Sequence, residues 1–288
     1  MLPCADRAGA QLGLTLYTAC RPRALLVQRI AYRLVGLAGT RVLPGRRVTL
    51  DIPEWDDLTA SWGGTVGEVR SVAQYQRKDP RSGLLLLVIP RERGALMVKV
   101  RHSPEALDRE QRLLAALQQV TLPGIRAPRP VGLGHTAGGL TWAAQEFVFS
   151  RPHEPVFALE PDRIAALDQA IGEAFHLAGL AEQRQDGWVP CHHDLTPWNL
   201  RRDHRGQVWL IDWEDAGYCP PGSDMGYLAL SSAALRGEAP EPIAPEVARF
   251  YREVIERRLA QGHGGALTDA MLARLPRMGP DPQGRVAQ

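Results

Sequence analysis

The segment from residue 190 to residue 214 constrains the fold more than any other part of the chain. It begins P-C-H-H-D-L-T-P-W-N-L and ends Q-V-W-L-I-D-W-E. Pro190 and Pro197 bracket the His-His-Asp sequence, which favours a loop over a helix because proline breaks the helical hydrogen-bond ladder. Two short apolar runs on either side of the turn sequence D-H-R-G at 203–206 predict a β-hairpin directly after this loop.

The predicted hairpin gathers oxygen-bearing side chains at one end. It returns Asp212 to the end at which Asn199 lies, and Asp194 comes just before its first strand. Two carboxylates and one carboxamide suit Mg²⁺ whose shell is completed by substrate phosphates. A carboxylate outside that shell can accept the proton of a hydroxyl group.

A second pattern lies upstream, where residues 51–101 predict strands joined by turns and one helix follows. Residues 84–89 and 95–101 are typical of strands, and the following helix carries Glu110 in the middle of an otherwise apolar stripe. Burying an unpaired carboxylate costs several kcal/mol, so Glu110 needs a cation. Lys99, one of only two lysines in the chain, is the candidate, and Glu105 remains open as its alternative partner.

Together these motifs resemble the aminoglycoside phosphotransferase and choline kinase family. His192-x-Asp194-x4-Asn199 resembles the HxDxxxxN loop of that family, and I-D-W-E at 211–214 resembles its metal-binding motif. The resemblance covers roughly residues 60–225. It implies an α+β, two-lobed protein-kinase-like fold, with a small antiparallel-sheet N-lobe and a mainly helical C-lobe.

The resemblance also implies roles in the transfer of the ATP γ-phosphate. Asp194 would deprotonate the acceptor hydroxyl, Asn199 and Asp212 would hold Mg²⁺, and Lys99, fixed by Glu110, would grip the α- and β-phosphates. Glu146 and Val148 would belong to the hinge that holds adenine. Three further residues would support the site: His192 would brace the Asp194 loop, Asp224 would buttress the same loop, and Glu214 would assist a second metal.

The glycine-rich segment Gly63–Gly67 is the one candidate for the turn that covers the phosphates. It is not a Walker A motif, because neither lysine follows a GxxxxG sequence. Its glycines are equally typical of an ordinary hairpin, and both interpretations stay open.

The domain division that follows is a basic N-terminal extension at 1–50, an N-lobe at 51–148 and a C-lobe at 149–288. The extension has eight arginines and no acidic residue between Asp6 and Asp51. It predicts a helix with an apolar stripe, formed by Val27, Ile30, Leu34 and Leu37. We favour a helix docked on the main domain, and the alternative is contact of residues 20–47 with an anionic membrane surface or a protein.

Composition narrows the function classes. The formal net charge is +2, which argues against a nucleic-acid partner. The chain has no run of 18 apolar residues, which predicts no membrane span, and its start lacks the pattern of a signal peptide. Four cysteines without a CxxC pair indicate a reducing, cytoplasmic location, with Cys191 and Cys219 as buried thiols.

Three other functions are compatible with parts of the sequence. His193-Asp194 could be the HD pair of a metal phosphohydrolase, although the flanking prolines disfavour the helix that such a pair needs. Cys191, His192, His193 and Cys219 could bind zinc, but their spacing fits no common zinc pattern. A catalytically silent kinase-like binding module is the non-enzyme alternative. The favoured function is an ATP-dependent kinase acting on a hydroxyl of a small molecule: an amino sugar, a sugar or an amino alcohol.

Overall fold

The predicted two-lobed α+β architecture is confirmed. The structure is a computed structural model, and it describes residues 1–44, 52, 54–75, 83–180, 187–262 and 264–276. A five-stranded sheet forms one lobe, and helices with two small sheets form the other. The strands are β1 Val69–Gln74, β2 Gly83–Pro90, β3 Leu96–Arg101, β4 Ile125–Arg126, β5 Pro130–His135, β6 Thr141–Glu146, β7 Glu154–Pro155, β8 Val189–Cys191, β9 Leu200–Arg202, β10 Val208–Leu210 and β11 Gly217–Cys219. The helices are α1 Arg7–Leu14, α2 Pro22–Ala38, α3 Trp55–Val66, α4 Glu105–Leu117, α5 Pro161–Leu177, α6 Ser223–Arg236, α7 Pro245–Ala260 and α8 Ala266–Leu272.

The large sheet has the order β1-β2-β3-β6-β5, and all neighbouring strands in it are antiparallel. Strand β3 lies in the middle, where Lys99 is opposite Leu85 on β2 and Ala143 on β6. Hydrogen bonding on both edges of β3 therefore fixes the backbone from which the Lys99 side chain projects.

Helix α3 replaces strands that we predicted from residue 51 onward. Its residues Leu58, Trp62 and Val66, spaced by four, are buried against the large sheet, and this spacing is the helical period. Gly63 (φ 49°) interrupts the helix and Gly67 (φ 82°) follows its end. Gly63–Gly67 is therefore neither a phosphate-covering turn nor a hairpin, and both interpretations were wrong. The connection between β1 and β2, where such a turn would lie, falls mostly at 76–82, outside the described residues.

The C-lobe has its own apolar core, to which α4, α5 and the predicted hairpin contribute. The hairpin is formed by β9 and β10, with Leu200 opposite Leu210. Its turn is closed by Asp203, whose Oδ1 accepts hydrogen bonds from the backbone N–H groups of Arg205 (2.8 Å) and Gln207 (3.0 Å). Strand β10 also pairs with β4, and β9 with β7, so the hairpin sits inside a four-stranded sheet.

The N-terminal helix that we predicted is present as α2, but it docks through a different face. Gln28 and Val35 are buried, and Gln28 Nε2 donates hydrogen bonds to the carbonyl oxygens of Leu14 (2.8 Å) and Tyr17 (2.7 Å). The predicted stripe at 27, 30, 34 and 37 is exposed. The expectation that this stripe packs on the main domain was wrong, because Gln28 and Val35 on another side of α2 make the contact. Residues 45–50 of the predicted extension lie outside the described part of the chain.

Arg201 ties this N-terminal region to the hairpin. It is fully buried on β9, and its Nε donates to His153 Nδ1 (2.8 Å). Its two terminal nitrogens donate to Cys20 Sγ (3.5 Å), to the carbonyl oxygens of Pro197 (2.9 Å) and Ala19 (2.8 Å), and to the His153 carbonyl (2.8 Å). Five acceptors match the five N–H donors of a guanidinium group.

Cys191 and Cys219 are joined in a disulfide, with an S–S distance of 2.10 Å and a Cα–Cα distance of 6.4 Å. Our prediction of two separate buried thiols was wrong. The antiparallel pairing of β8 with β11 brings these cysteines together across a separation of 28 residues. The described helices include none that is long and apolar enough to cross a membrane.

Candidate active site

The loop after β8 carries Asp194, and its conformation is held from both sides. Asn199 Nδ2 donates to the Asp194 carboxylate (2.9 Å to Oδ2) and to its carbonyl oxygen (3.1 Å). The Asp194 N–H donates to His192 Nδ1 (3.3 Å), and His192 Nε2 lies 3.1 Å from the Ile211 carbonyl oxygen. Because Nδ1 accepts, Nε2 must carry the proton. Burial lowers the pKa of His192 to about 4, which keeps the ring neutral.

Asp224, at the start of α6, binds the backbone of the same loop. Its carboxylate accepts hydrogen bonds from the N–H groups of His192 (2.7 Å) and His193 (3.0 Å). His193 has a φ of 72°, a left-handed conformation that is costly for a residue with a side chain. The two hydrogen bonds hold this turn in place. Burial raises the pKa of Asp224 to about 7, although the two backbone hydrogen bonds lower it.

The hairpin brings Asn199 and Asp212 to one end, as the sequence predicts. The Ile211 N–H donates to the Asn199 carbonyl oxygen (3.0 Å), which extends the β9–β10 pairing by one residue. Asp212 follows at once, with a left-handed φ of 65°. The chain therefore turns sharply where the Asp212 carboxylate emerges.

Lys99 is surrounded by carboxylates. Its Nζ lies 2.8 Å from Glu110 Oε1, 2.7 Å from Asp212 Oδ1 and 3.3 Å from Glu214 Oε2. The predicted Lys99–Glu110 contact is present, and the alternative partner Glu105 instead contacts Ser103. Burial raises the pKa of Glu110, and the Lys99 charge opposes this shift. We use the name Lys99 cluster for Lys99 with these three acidic residues.

Glu214 is a buried member of this cluster. Its side chain is 6% exposed and pairs with Lys99 and, at 3.2 Å, with Arg101. It is not among the described residues that line the cleft. Two cations therefore hold the Glu214 carboxylate inside the protein, and its part in a second metal site stays a prediction.

The cleft between the lobes has a volume of about 700 Å³. Lys99, Asp194, Asn199 and Asp212 all line it, so the sequence-predicted side chains that would touch reactants share one cavity. The end of β6 and the segment after it form one wall, where the predicted hinge residues are found with their neighbours: Gln145, Glu146, Phe147, Val148 and Phe149. The Phe147 N–H donates a hydrogen bond to the Ala95 carbonyl oxygen (2.9 Å), and this bond attaches the wall to the N-lobe.

Sequence reasoning missed three cleft residues that are close to Asp194 or to one another. Trp198, Tyr227 and Arg258 line the cleft near Asp194 and Asp215. The Arg258 guanidinium lies 3.4 Å from Asp215 Oδ2 and 3.4 Å from the Tyr227 hydroxyl. Arg258 lies on α7, and an arginine in a helix carries no sequence signal that it will reach the cleft.

Burial gives Asp194 the properties of a base that can be protonated reversibly. It raises the pKa of the Asp194 carboxyl to about 6. The positive charge of Arg258 lowers this pKa, and the nearby Asp215 and Asp212 raise it. A pKa near the ambient pH suits a group that takes up a proton and gives it back.

The donor set at the hairpin fits magnesium. The Asp212 side chain is 30% exposed, and because the Asn199 amide nitrogen is used by Asp194, the Asn199 amide oxygen is its remaining ligand atom. Within the described residues, no group of three or more His, Cys, Asp and Glu side chains is arranged to hold a metal by itself. Mg²⁺ commonly takes only one or two carboxylates and shares the rest of its shell with waters and phosphates.

Comparison with known proteins agrees with this geometry. A family model described as APH, phosphotransferase enzyme family, matches residues 74–262, well over half of the chain. The chain belongs to the phosphotransferase enzyme family. The family resemblance inferred from the loop, the hairpin and the Lys99–Glu110 pair is thereby confirmed, and with it the protein-kinase-like fold.

Three of the proteins that this chain matches share between 14% and 29% sequence identity with it. The 3-deoxy-D-manno-octulosonic acid kinase of Photobacterium profundum is 29% identical over 103 residues, which is 35% of this chain and 41% of that kinase. The GDP and kanamycin complex of APH(2")-IIia has a TM-score of 0.49 at 14% identity and covers 75% of this chain and 96% of that one. Amicoumacin kinase hAmiN, with AMP-PNP, Ca²⁺ and Ami, has a TM-score of 0.48 at 14% identity, covering 78% and 92%.

The two other metal-site hypotheses do not fit the structure. His193 and Asp194 lie in a loop rather than on a helix, unlike the HD pair of a phosphohydrolase. Cys191 and Cys219 are bonded to each other, so neither offers the thiolate that a zinc site requires.

Proposed function

We propose that this phosphotransferase-family protein transfers the γ-phosphate of ATP to a hydroxyl of a small molecule, with Mg²⁺ as cofactor. One observation carries the proposal: Asp194, Asn199, Asp212 and Lys99 line a single cleft between the lobes. A base, two oxygen ligands for a metal and a cation for phosphate are the parts that phosphoryl transfer requires.

Asp194 acts on the acceptor. Its carboxylate takes the proton of the acceptor hydroxyl as that oxygen forms a bond to the γ-phosphorus. The bond between the γ-phosphorus and the β–γ bridging oxygen breaks, and ADP leaves with that electron pair. Asn199 orients the carboxylate through the 2.9 Å hydrogen bond to Oδ2, and the raised pKa lets the proton return to solvent after transfer.

Lys99 and the hinge wall hold the donor. Lys99 binds the α- and β-phosphates, and the buried Glu110 keeps its ammonium in position through the 2.8 Å contact. Glu146 at the end of β6 and Val148 just after it line the cleft and hold the adenine. Within the described residues, this arrangement leaves the triphosphate to extend from the hinge toward Asp194.

Asn199 and Asp212 are the residues that hold Mg²⁺. When bound, the ion neutralises charge on the phosphate oxygens. The left-handed turn at Asp212 and the β9–β10 pairing fix the two side chains relative to each other before a nucleotide arrives. His192 and Asp224 position Asp194 indirectly, because they hold the backbone of the loop that carries it.

The acceptor is an amino sugar, a sugar or an amino alcohol. The Photobacterium relative is named for a sugar acid, which supports a sugar hydroxyl as the target. Trp198, Tyr227 and Arg258 at the Asp194 end of the cleft provide aromatic surface and hydrogen-bond donors of the kind that bind such compounds. We place the reaction in the cytoplasm, because its phosphate donor is ATP.

Binding of the donor is tested by thermal unfolding with ATP, with and without Mg²⁺. Mg-ATP that binds the folded protein raises its melting temperature by mass action, worth about 2.7 kcal/mol at a concentration about 100 times the dissociation constant. ATP with EDTA and Mg²⁺ alone serve as controls. No shift at millimolar Mg-ATP would contradict the proposal.

Transfer itself is tested with a panel of amino sugars, sugars, sugar acids and amino alcohols, each incubated with Mg-ATP and read by mass spectrometry. We expect one class to gain a phosphate group with the wild-type protein and none to gain it with Asp194→Asn. Binding of Mg-ATP without transfer to any member would favour the silent binding module instead.

A further inference from the structure

Helix α2 exposes a continuous apolar face. Five side chains share it, and their exposed fractions range from 43% to 77%: Leu26, Val27, Ile30, Leu34 and Leu37. At 100° per residue they fall within one stripe along the helix, which we call the α2 stripe. Leaving five large apolar side chains in water on one helix is unfavourable and marks a surface that binds something apolar.

The α2 stripe is not the face by which α2 packs on the rest of the protein. The opposite side of α2 already holds the helix on the protein, through Gln28 and through the Tyr32 hydroxyl, which donates to the Ser150 carbonyl oxygen (2.9 Å). Arg29 also pairs with Glu154. These contacts fix the rotation of α2, so the stripe faces outward in the folded protein.

The charged side chains that α2 itself contributes are of one sign, although Glu154 from the main domain pairs with Arg29 at the side of the helix. No acidic residue occurs between Asp6 and Asp51, whereas eight arginines do. Arg23 lies one helical turn before Leu26 and Val27, and Arg33 lies between Ile30 and Leu37 on neighbouring turns; both are exposed. An apolar stripe on a helix that carries arginines and no carboxylate of its own is complementary to a surface that is apolar inside and anionic outside.

We propose that α2 is an interfacial helix that docks this protein on an anionic lipid bilayer, with the α2 stripe in the acyl boundary and Arg23 and Arg33 at the phosphates. The helix has 17 residues and lies along the protein surface, which suits attachment parallel to the membrane plane. Residues 15–18, which connect α1 to α2, line the active-site cleft. Docking therefore places the lipid next to an element that borders the cleft.

The experiment is co-sedimentation of the full chain with vesicles of phosphatidylcholine alone and of phosphatidylcholine with about one third phosphatidylglycerol. We expect binding to the anionic vesicles only. Raising salt from about 0.1 M to about 1 M shortens the screening length from about 10 Å to about 3 Å and should weaken binding at least about tenfold. This readout needs neither ATP nor an acceptor, so it is independent of the proposed function.

Ile30→Asp/Leu37→Asp places two charges in the stripe and should reduce vesicle partitioning at least about tenfold. Leu177→Asp on α5 is the matched control, because Leu177 is 49% exposed and Ile30 is 48% exposed; it should bind like the wild type. Both variants should keep the wild-type melting temperature within a few degrees, because these positions are exposed.

Three outcomes would overturn the proposal. The first is no binding to anionic vesicles at low salt. The second is equal loss of binding in Leu177→Asp and in the stripe variant. The third is a dimer, seen by light scattering without lipid, that becomes a monomer in Ile30→Asp/Leu37→Asp; the stripe would then be a contact between two copies.

Discussion

Two buried cations, Lys99 and Arg201, are held in opposite ways. Lys99 lies among three carboxylates, and one of them, on Asp212, reaches the cleft with a side-chain exposure of 30%. Arg201 donates to five acceptors that carry no formal charge: three carbonyl oxygens, a neutral imidazole and the Cys20 sulfur. Burial lowers the pKa of Arg201 to about 10, which still leaves the guanidinium charged at neutral pH.

The difference separates a reactive region from a supporting one. A guanidinium whose donors are all used inside the protein has nothing left to offer a ligand, so its contribution is to stability. The Lys99 cluster instead joins the buried Glu110 to a carboxylate that borders the cavity. Charge that is partly open to the cleft can be rearranged when phosphates and a metal bind. The following predictions test this contrast, in order of expected effect.

The largest effect is expected at the two cleft aspartates. Asp194→Asn should lower kcat by about 10² to 10⁴-fold, because the general base is lost, and should leave Mg-ATP affinity near the wild-type value. Asp212→Asn should lower kcat and also weaken Mg-ATP binding at least about tenfold, because a charge is removed from the metal ligands. Calorimetric titration with and without Mg²⁺, together with turnover, measures both. If Asp194→Asn abolished ATP binding while Asp212→Asn spared it, the two roles would be reversed.

The next effect is on stability, at Arg201. Arg201→Met leaves five buried acceptors without donors and should lower the free energy of unfolding by about 3 to 5 kcal/mol. Arg202→Met is the control on the same strand, because Arg202 is exposed and should change stability by about 0.5 kcal/mol or less. Urea unfolding gives both values. Equal effects of the two substitutions would show that the Arg201 contacts do not stabilise the fold.

The smallest effect concerns pH, through His153. Burial, assisted by the neighbouring Arg201 charge, lowers the pKa of His153 to about 3, whereas an unfolded chain has a value of about 6.5. Between these values the unfolded state binds a proton that the folded state does not, so the free energy of unfolding falls as pH falls below about 6.5. Relative to His153→Gln, the wild type should lose about 2 kcal/mol more between pH 8 and pH 5.

The comparison with His153→Gln is needed because other groups oppose this trend. Burial raises the pKa of Asp168 and Asp194 to about 6 and that of Asp224 to about 7. Their protonated folded forms make stability fall as pH rises through these values. These groups are unchanged in the variant, so the difference between the two urea series isolates His153. Parallel series would show that His153 keeps an ordinary pKa.

Local patterns predicted much of the fold and most of the site. Apolar runs bounded by turns located β2 and β3. The predicted hairpin placed Asn199 beside Asp212, because the turn between the strands sets their pairing. Glu110 was identified because a carboxylate in an apolar stripe is buried when the helix packs. A buried charge requires a partner of opposite charge, and here that partner is Lys99. These signals are contained in segments of about ten residues.

The failures have a common cause, which is dependence on distant contacts. The sequence showed the apolar stripe of α2, but not whether the protein buries it. Periodicity indicates that a helix has an apolar face and does not indicate what covers that face. The Cys191–Cys219 bond depends on the pairing of β8 with β11, and Arg258 reaches the cleft only because α7 packs there. Helix α3 was not predicted because the glycines at 63 and 64 disfavour a helix. Its buried residues Leu58 and Trp62 are held by contacts with the large sheet, which are distant in sequence.

The contacts of Arg201 also affect how this family can vary. The family match begins at residue 74, yet the guanidinium on β9 donates to the Ala19 carbonyl, and the ring of His153 contacts the Thr15 carbonyl (2.9 Å). A homologue without the first two helices could not keep an arginine here unless other acceptors replaced them. We therefore expect homologues to have either both Arg201 and the helices α1 and α2, or neither. Deleting the N-terminal residues of this chain should destabilise the hairpin that carries Asn199 and Asp212.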